Sequence, residues 1–227
     1  MPVRLKSIVA QTIGLFVILA LALFVPAGTV GWPAGWVFWG LFLACFVGVT
    51  LWLGRHNPAL LQERFQLRRA GQPGWDRLYL PFTLLVALAW LVFMGLDAGR
   101  LRWSPLPVWL QAVGVVVLMG AFYLLFRTFR ENAFLSPVVS MQGDRGQTVI
   151  STGPYHYVRH PMYAGLLFFV IGTSLLLGSG YGILVGMLFV ALLARRAVLE
   201  ERTLRNELPG YDGYMARVKY RLIPYVW

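Results

Sequence analysis

The chain has 227 residues, of which 58% are hydrophobic and only 13% are charged, and its formal net charge is +11. This apolar, aromatic-rich composition excludes a disordered chain and argues against an ordinary soluble domain, in which about 25% of residues are charged. Because the charges lie between apolar runs rather than along one polar face, the excess of Lys and Arg predicts no nucleic-acid partner.

Four uncharged apolar runs predict membrane-crossing helices, since a helix rises about 1.5 Å per residue and the hydrocarbon core is about 30 Å thick. In chain order these runs are Ile8–Val25, Trp36–Leu53, Leu78–Leu96 and Val108–Phe126. The first run is longer than the apolar part of a signal peptide and is followed by further runs, so it is predicted to be a retained anchor. The only cysteine, Cys45, lies inside the second run, which predicts neither a disulfide framework nor a metal site.

A fifth apolar run, Met162–Ala194, is interrupted by Gly178-Ser179-Gly180. The glycines predict a tight turn, so this run is interpreted as a helical hairpin whose arms cross the membrane fully or in part. The second arm is predicted to continue as a helix through Arg195–Leu204. The fold class is therefore an all-α integral membrane protein with about six transmembrane helices, a C-terminal helical hairpin and a cytoplasmic tail.

The distribution of Lys and Arg predicts the orientation, because the cytoplasmic loops of membrane proteins are enriched in these residues. All but two of the 20 Lys and Arg residues fall on one side of the predicted crossings, and Arg100 and Arg102 fall on the other. Both termini are therefore predicted to be cytoplasmic. The polar residues are concentrated in three cytoplasmic pieces, 55–77, 127–160 and 195–227, and chemistry is expected where the last two meet.

The segment before the hairpin contains a candidate anion site. Gly153-Pro154 is a turn signal, and His160 precedes Pro161, a residue favoured at the first position of a helix. Arg159 lies just outside this helix start, and Tyr163 lies one turn inside it. A helix N-terminus beside these side chains predicts anion binding at the membrane surface. The alternative is that they only anchor the chain at the lipid headgroups, which is the commoner role of such residues taken alone.

A second cluster lies where the second arm of the hairpin would leave the membrane. Arg196 and Glu200 are four residues apart, as are Glu201 and Arg205, so either pair could be a surface ion pair on a helix. Adjacent helical residues point about 100° apart, so only one of the two glutamates is expected to face the junction with the loop before the hairpin.

Taken in order, these pieces form a recognisable pattern. It consists of Gly153-Pro154-Tyr155, Arg159-His160-Pro161, Tyr163, a short hairpin, Glu200-Glu201 and Pro224. The pattern resembles the isoprenylcysteine carboxyl methyltransferase family and, more loosely, the phospholipid N-methyltransferases. The stretch Asn57–Arg64 is similar to prokaryotic members of this group, which implies a bacterial inner membrane.

The resemblance implies a membrane enzyme that uses S-adenosyl-L-methionine held by its cytoplasmic loop, hairpin and tail. It divides the chain into N-terminal transmembrane helices, residues 1–141 with a cytoplasmic loop at 55–77, and a methyltransferase-like region, residues 142–227. Two positions depart from the family pattern: Gln147 stands where relatives carry His, and Leu208-Pro209 stands where a Phe-Gly pair is usual.

The resemblance also implies site residues by position. The implied cofactor-binding residues are Gln147, Val149, Ile150, Gly153, Tyr155, His160, Pro161, Tyr163 and Glu201. The implied catalytic residues are Arg159, Arg196 and Glu200, and no metal is implied. A carboxylate acceptor needs a cation such as Arg159 or Arg196, whereas an amine or thiol acceptor would give its proton to Glu200 or Glu201. Glu200 is expected beside Arg196 near the acceptor, and Glu201 is expected to approach the cofactor or to brace the tail.

The implied partners are membrane lipids and a lipophilic small-molecule or prenylated acceptor. Two other classes remain open. One is a nicotinamide-dependent reductase, since membrane sterol reductases resemble the same C-terminal region. The other is a non-enzymatic membrane scaffold or transporter, although transporters place ionisable residues inside their spans and the predicted runs contain none.

Overall fold

The structure is a computed structural model that describes residues 5–66 and 72–227. Within these ranges the chain is helical and has no named strand, only one isolated bridge between Pro105 and Ser179. The α-helices are α1 (Leu5–Ala27), α2 (Pro33–His56), α3 (Pro58–Arg64), α4 (Gly74–Met94), α5 (Val108–Glu131), α6 (Pro161–Leu177), α7 (Gly180–Glu207) and α8 (Tyr211–Arg217). The predicted all-α membrane fold is confirmed. Arg4, Arg68 and Arg69, which contributed to the predicted orientation, lie outside the described residues.

The first four predicted apolar runs each lie within one helix, and the fifth is divided between α6 and α7. Five described helices are long and apolar enough to span a bilayer, and α6, with 17 residues, is a shorter apolar helix. These five are Lys6–Ala27, Pro33–His56, Gly74–Leu101, Val108–Glu131 and Gly180–Glu207. The predicted hairpin is formed by α6 and α7. Gly178 adopts the left-handed backbone (φ 80°), and the Ser179 hydroxyl caps α7 by accepting from the Gly182 amide.

The third crossing helix is longer than predicted at both ends. It begins at Gly74 and continues from α4 through a π-helical turn, Gly95–Leu101. It therefore includes two buried carboxylates, Asp76 and Asp97, that the predicted run excluded. The Asp97 carboxylate accepts from the Ser104 amide at 3.0 Å, from the Ser104 hydroxyl at 2.6 Å and from the Ser179 hydroxyl. These bonds satisfy the buried charge, which is why the helix tolerates it.

Helices α5 and α6 share the most extensive helix contact of the described chain, because small residues let their backbones approach. A side chain added at Gly172 of α6 would place its first carbon 2.6 Å from the Leu118 nitrogen and 2.9 Å from the Leu118 Cα of α5. Gly120, also on α5, has no atom within 4 Å of the corresponding position. The close approach holds α6 against α5, and the first residues of α6 border the site.

We expect Gly172→Ala to lower the free energy of unfolding by about 1–2 kcal/mol, because overpacking costs about 1–3 kcal/mol and the gain in helix propensity offsets part of it. Gly120→Ala is the matched control and is expected to leave stability unchanged or to raise it. Thermal unfolding of both variants in detergent measures the difference. Equal melting temperatures for the two variants would show that the helices separate without cost.

Candidate functional site

A cavity open to solvent lies between the loop after α5, the start of α6 and the last turns of α7. The lining residues from the loops are Asn132, Phe134, Leu135, Ser136, Val138, Val139, Ser140, Met141, Gln147, Thr148, Val149, Ile150, Tyr155, Arg159 and His160. The lining residues from the helices and the turn after α7 are Met162, Tyr163, Arg196, Glu200, Thr203, Leu204, Leu208, Tyr211 and Tyr214.

The cavity brings together nine of the twelve predicted site residues. They are Gln147, Val149, Ile150, Tyr155, Arg159, His160, Tyr163, Arg196 and Glu200. Gly153, Pro161 and Glu201 do not line it. Gly153 has a positive φ (57°) and packs against the Glu131 side chain, and Pro161 is the buried first residue of α6. The lining begins at residue 132, so it includes residues on both sides of the proposed division at residue 142.

Glu201 is buried, with 3% of its surface exposed, and its carboxylate contacts three other side chains. Its Oε1 atom accepts from Arg159 Nε at 2.7 Å and lies 3.2 Å from His160 Nε2. Its Oε2 atom accepts from Arg221 Nε at 2.9 Å. One carboxylate therefore joins the segment before α6 to the tail, and it lies behind the cavity wall rather than in it.

The tail is also held by main-chain bonds to the same segment. The Arg159 guanidinium donates from Nη1 to the Val218 carbonyl at 2.8 Å and to the Lys219 carbonyl at 3.0 Å. The amides of Arg159 and His160 donate to the carbonyls of Tyr220 and Arg221, each at 2.9 Å. Arg159 thus uses its Nε and Nη1 groups in the contacts that hold the tail, although it borders the cavity.

The ion pairs expected along α7 are wrong. Glu201 does not pair with Arg205, which bonds instead to Asp212 of α8 at 2.8 Å. Arg196 pairs with the buried Asp76 at 2.9 Å rather than with Glu200. Helical spacing identifies neighbours on one helix surface, but here both arginines pair with carboxylates on other helices, Asp76 of α4 and Asp212 of α8.

Arg196 and Asp76 tie α7 to the loop after α5. The guanidinium donates from Nη2 to the Pro137 carbonyl at 2.6 Å, and Asp76 Oδ2 accepts from the Val139 amide at 2.9 Å and from Gln72 Nε2 at 2.8 Å. Asp76 was not among the predicted site residues. Its position in the first turn of a helix was the one signal for it, since acidic residues are favoured there.

Glu200 differs from its neighbour, because it lines the cavity and forms no salt bridge with a described residue within 4 Å. Its Oε2 atom accepts from the Tyr163 hydroxyl at 2.9 Å. The Tyr163 ring stacks on His160, with ring centres 5.5 Å apart and planes 16° from parallel. Glu200 therefore presents a carboxylate to the cavity, held by one neutral donor.

The loop wall of the cavity is organised by Gln142, which is almost fully buried and which sequence reasoning missed. Its side chain donates to the Phe134 carbonyl at 2.7 Å and accepts from Arg145, and its amide donates to Gln147 Oε1 at 2.7 Å. The predicted cofactor residue Gln147 thus uses its side-chain oxygen within the loop. A polar residue in a loop carries no sequence signal for such a role.

Three buried tyrosines form the aromatic side of the cavity. Burial raises the pKa of Tyr155, Tyr211 and Tyr214 above the ordinary value of about 10, so all three are neutral at pH 7. The Tyr214 hydroxyl donates to the Tyr155 carbonyl at 2.8 Å, and the Tyr155 hydroxyl accepts from Asn132 at 2.9 Å. The result is a rigid, uncharged aromatic surface next to Glu200.

The comparisons with known proteins point to two enzyme groups. Residues 109–208 match the phospholipid methyltransferase family. A protein-S-isoprenylcysteine O-methyltransferase of Rattus norvegicus is 27% identical over 101 residues, which is 43% of this chain and 34% of the relative. The predicted resemblance to this methyltransferase group is therefore confirmed. The matched region contains the cavity wall from α5 to the end of α7.

Sterol reductases are also similar. A Delta(14)-sterol reductase of Mus musculus is 29% identical over 223 residues, which is 85% of this chain and 52% of the relative. A Delta(14)-sterol reductase of Schizosaccharomyces pombe is 26% identical over 159 residues, which is 67% of this chain and 37% of the relative. The chain thus spans about half the length of these relatives, or less.

Proposed function

We propose that the protein is a membrane methyltransferase that binds S-adenosyl-L-methionine in the cavity and methylates a lipophilic acceptor delivered from the bilayer. The observation that carries this proposal is the grouping of nine predicted site residues around one cavity, inside the region that matches a methyltransferase family. Residues 142–227 are proposed as the methyltransferase-like region, completed by the loop wall at 132–141.

The lining chemistry fits this cofactor. Ser140 Oγ is buried and has no hydrogen-bond partner among the described residues, which leaves a polar atom for a ligand group in the wall. The tyrosine surface suits a flat ring or a sulfonium cation. His160 and the start of α6 suit a carboxylate.

When bound, S-adenosyl-L-methionine supplies an electrophilic methyl group. The residues around the cavity orient the partners for an in-line displacement and exclude water, which is most of what such an enzyme contributes. Glu200 is positioned to accept a proton from an amine or thiol acceptor, and the hydrogen bond from Tyr163 keeps its carboxylate in place. Apolar lining residues, among them Leu135, Val138 and Met162, offer a surface for an acyl or prenyl chain.

A nicotinamide-dependent reduction is the second candidate, favoured by the similarity to sterol reductases along 85% of the chain. The arginines that line the cavity support this reduction less well than methyl transfer. A cofactor with a 2′-phosphate needs free cations, but both arginines that line the cavity are already paired with carboxylates.

Titration of the purified protein with S-adenosylhomocysteine and, separately, with NADPH tests the proposal. We expect micromolar or tighter binding of S-adenosylhomocysteine and at least tenfold weaker binding of NADPH. The opposite preference would assign the cavity to a reductase. If the protein bound neither S-adenosylhomocysteine nor NADPH, both proposed enzyme functions would be overturned.

The proposed orientation places both termini and the cavity in the cytoplasm. In a Cys45→Ala background, we expect Val30→Cys, at the exposed turn after α1, to react with an impermeant thiol reagent added outside intact cells. Asn206→Cys, exposed near the end of α7, should react only after the cells are opened. Labelling of Asn206→Cys from outside would place the cavity on the wrong side for a cytoplasmic cofactor.

A further inference from the structure

Residues 221–227, at the end of the tail, form a closed loop that we call the tip loop. The main-chain oxygen of Trp227 accepts from the amides of residues 221–223 at 2.8, 3.0 and 3.3 Å. The Arg221 guanidinium lies over the Trp227 ring, with its central carbon 5.0 Å from the ring centre. Tyr225 has a positive φ (64°), a backbone conformation that is unfavourable for a bulky residue and needs support from its surroundings. The tip loop therefore has a defined shape, although most of its side chains are exposed.

The tip loop lies beside the point at which the chain enters α6. Two successive amides of the segment before α6 donate to two successive carbonyls of the tail, those of Tyr220 and Arg221, in the same order. The tail therefore runs in the direction in which the chain enters α6, which is toward the bilayer. The next residue, Leu222, is buried in the hydrophobic cluster of the crossing helices, together with Tyr163 of α6 and Leu193 of α7. The exposed part of the tip loop thus begins at the boundary of the apolar bundle.

The exposed side chains of the tip loop are mainly apolar or aromatic. Tyr225 is 88% exposed and Val226 is 74% exposed, and Ile223 is exposed beside them. A surface of this kind at the edge of a membrane bundle suits the lipid headgroup region. Tyr and Trp are enriched there because their rings are apolar and their polar atoms reach water.

The residues that lead into the tip loop are basic. After Asp212 the tail contains Arg217, Lys219 and Arg221 and no carboxylate side chain. Asp212 itself pairs with Arg205, whereas Arg217 and Lys219 are exposed. Cations beside an exposed apolar tip complement an anionic lipid surface, because such a surface attracts Lys and Arg while its headgroup region accepts apolar side chains. The charge therefore identifies an anionic bilayer surface as the partner that fits.

We propose that the tip loop binds the anionic headgroup surface of the bilayer and that this contact holds the tail in its docked position. The apolar side chains of the tip loop contact the headgroup region, and Arg217 and Lys219 face the lipid phosphates. The strap that docks the tail, residues 218–221, leads from the tyrosines of the cavity wall, Tyr211 and Tyr214, into the tip loop. Lipid contact at one end of the strap therefore opposes its detachment. This contact involves the tail and not the cofactor, so it stands apart from the proposed methyl transfer.

The depth of the tip loop is measured on the full chain in nanodiscs made of phosphatidylcholine and phosphatidylglycerol. In the Cys45→Ala background, Val226→Cys carries a fluorescent label, and Asn206→Cys, exposed near the end of α7, is the matched control site. A nitroxide on the lipid chain close to the headgroup should quench the label at 226 strongly and the label at 206 little. Dissolved iodide should show the reverse preference.

Hydrogen exchange at the amides of Arg159 and His160 measures the docking itself, because these amides are bonded to carbonyls of the strap. We expect their exchange to be slower by about fivefold or more when the discs contain phosphatidylglycerol, which is the effect of roughly one Lys or Arg at an anionic surface. Lys219→Gln should reduce this slowing. Arg205→Gln, which removes an exposed cation paired with Asp212, should leave it unchanged.

Substitutions in the tip loop test the apolar contact. The double variant Tyr225→Asn with Val226→Ser removes two exposed apolar side chains without a backbone cost, because asparagine tolerates the left-handed conformation. It should lose the slowing of exchange by phosphatidylglycerol. Tyr225→Trp keeps a ring that is apolar with a polar edge, so it should retain the slowing.

Quenching of the label at 226 by iodide alone would leave the tip loop in water, and equal exchange in the two lipid compositions would remove the anionic surface as its partner. Either result overturns the proposal. Protection that appears only when two copies share a disc would assign the tip loop to a second copy of the chain, which also overturns it. If the double variant fails to fold, the comparison of Lys219→Gln with Arg205→Gln decides. A failure to bind S-adenosylhomocysteine would overturn the proposed methyl transfer and leave these outcomes unchanged.

Discussion

Replacing Glu201 with alanine is expected to lower the free energy of unfolding by about 3–5 kcal/mol, because the change leaves the buried Arg159 charge without its carboxylate. The same change removes the acceptor for His160 and Arg221. We therefore expect the tail to detach from the segment before α6 and S-adenosylhomocysteine binding to fall with it.

Thermal unfolding in detergent and protease cleavage of the tail measure these two effects. Glu207→Ala is the control, because it removes an exposed carboxylate from the same helix and should change neither quantity. A melting temperature for Glu201→Ala within one degree of the control would show that the contacts of the Glu201 carboxylate contribute nothing to stability.

Replacing Glu200 with glutamine should have the largest effect on the reaction itself. Glutamine keeps the shape of the side chain but cannot accept a proton, so turnover of an amine or thiol acceptor should fall at least tenfold, a barrier increase of about 1.4 kcal/mol or more. S-adenosylhomocysteine binding should change little, because the rest of the lining is untouched.

The comparison with Tyr163→Phe separates proton transfer from positioning. The phenylalanine removes the 2.9 Å hydrogen bond to Glu200 but leaves the carboxylate, so we expect a smaller loss of turnover than for Glu200→Gln. Full turnover by Glu200→Gln would falsify its role as a base and would favour an acceptor that is already ionised.

The crossing helices were predictable because their signal is local. An uncharged run long enough to cross the hydrocarbon core has few structural alternatives to a helix, and each of the first four runs lies within one observed helix. The turn at Gly178 was predictable for the same reason. The extension of the third helix to Asp97 was not, because it depends on hydrogen bonds from Ser104 and Ser179, which lie further along the chain.

The site was predictable as a set of residues but not as a set of contacts. The ordered motif identified most of the residues around the cavity, whereas spacing on one helix gave the wrong partners for Glu201 and Arg196. The pairing of Arg196 with Asp76 joins residues 120 positions apart, and Arg159 is held by backbone carbonyls that have no sequence signature. Such contacts are set by how the helices and the tail pack together.

The cavity wall is completed late in the synthesis of the chain, because the tail forms part of it. Tyr211 and Tyr214, which complete the cavity wall, and the strap at Val218–Arg221 are synthesised after the five described helices that are long enough to span a bilayer. A ribosome adds about 5–20 residues per second. There is therefore an interval in which the crossing helices are in the bilayer but the hydrogen bond from Arg221 to Glu201 has not yet formed. Until this strap has left the ribosome, the nascent chain is a membrane protein whose cavity wall is incomplete.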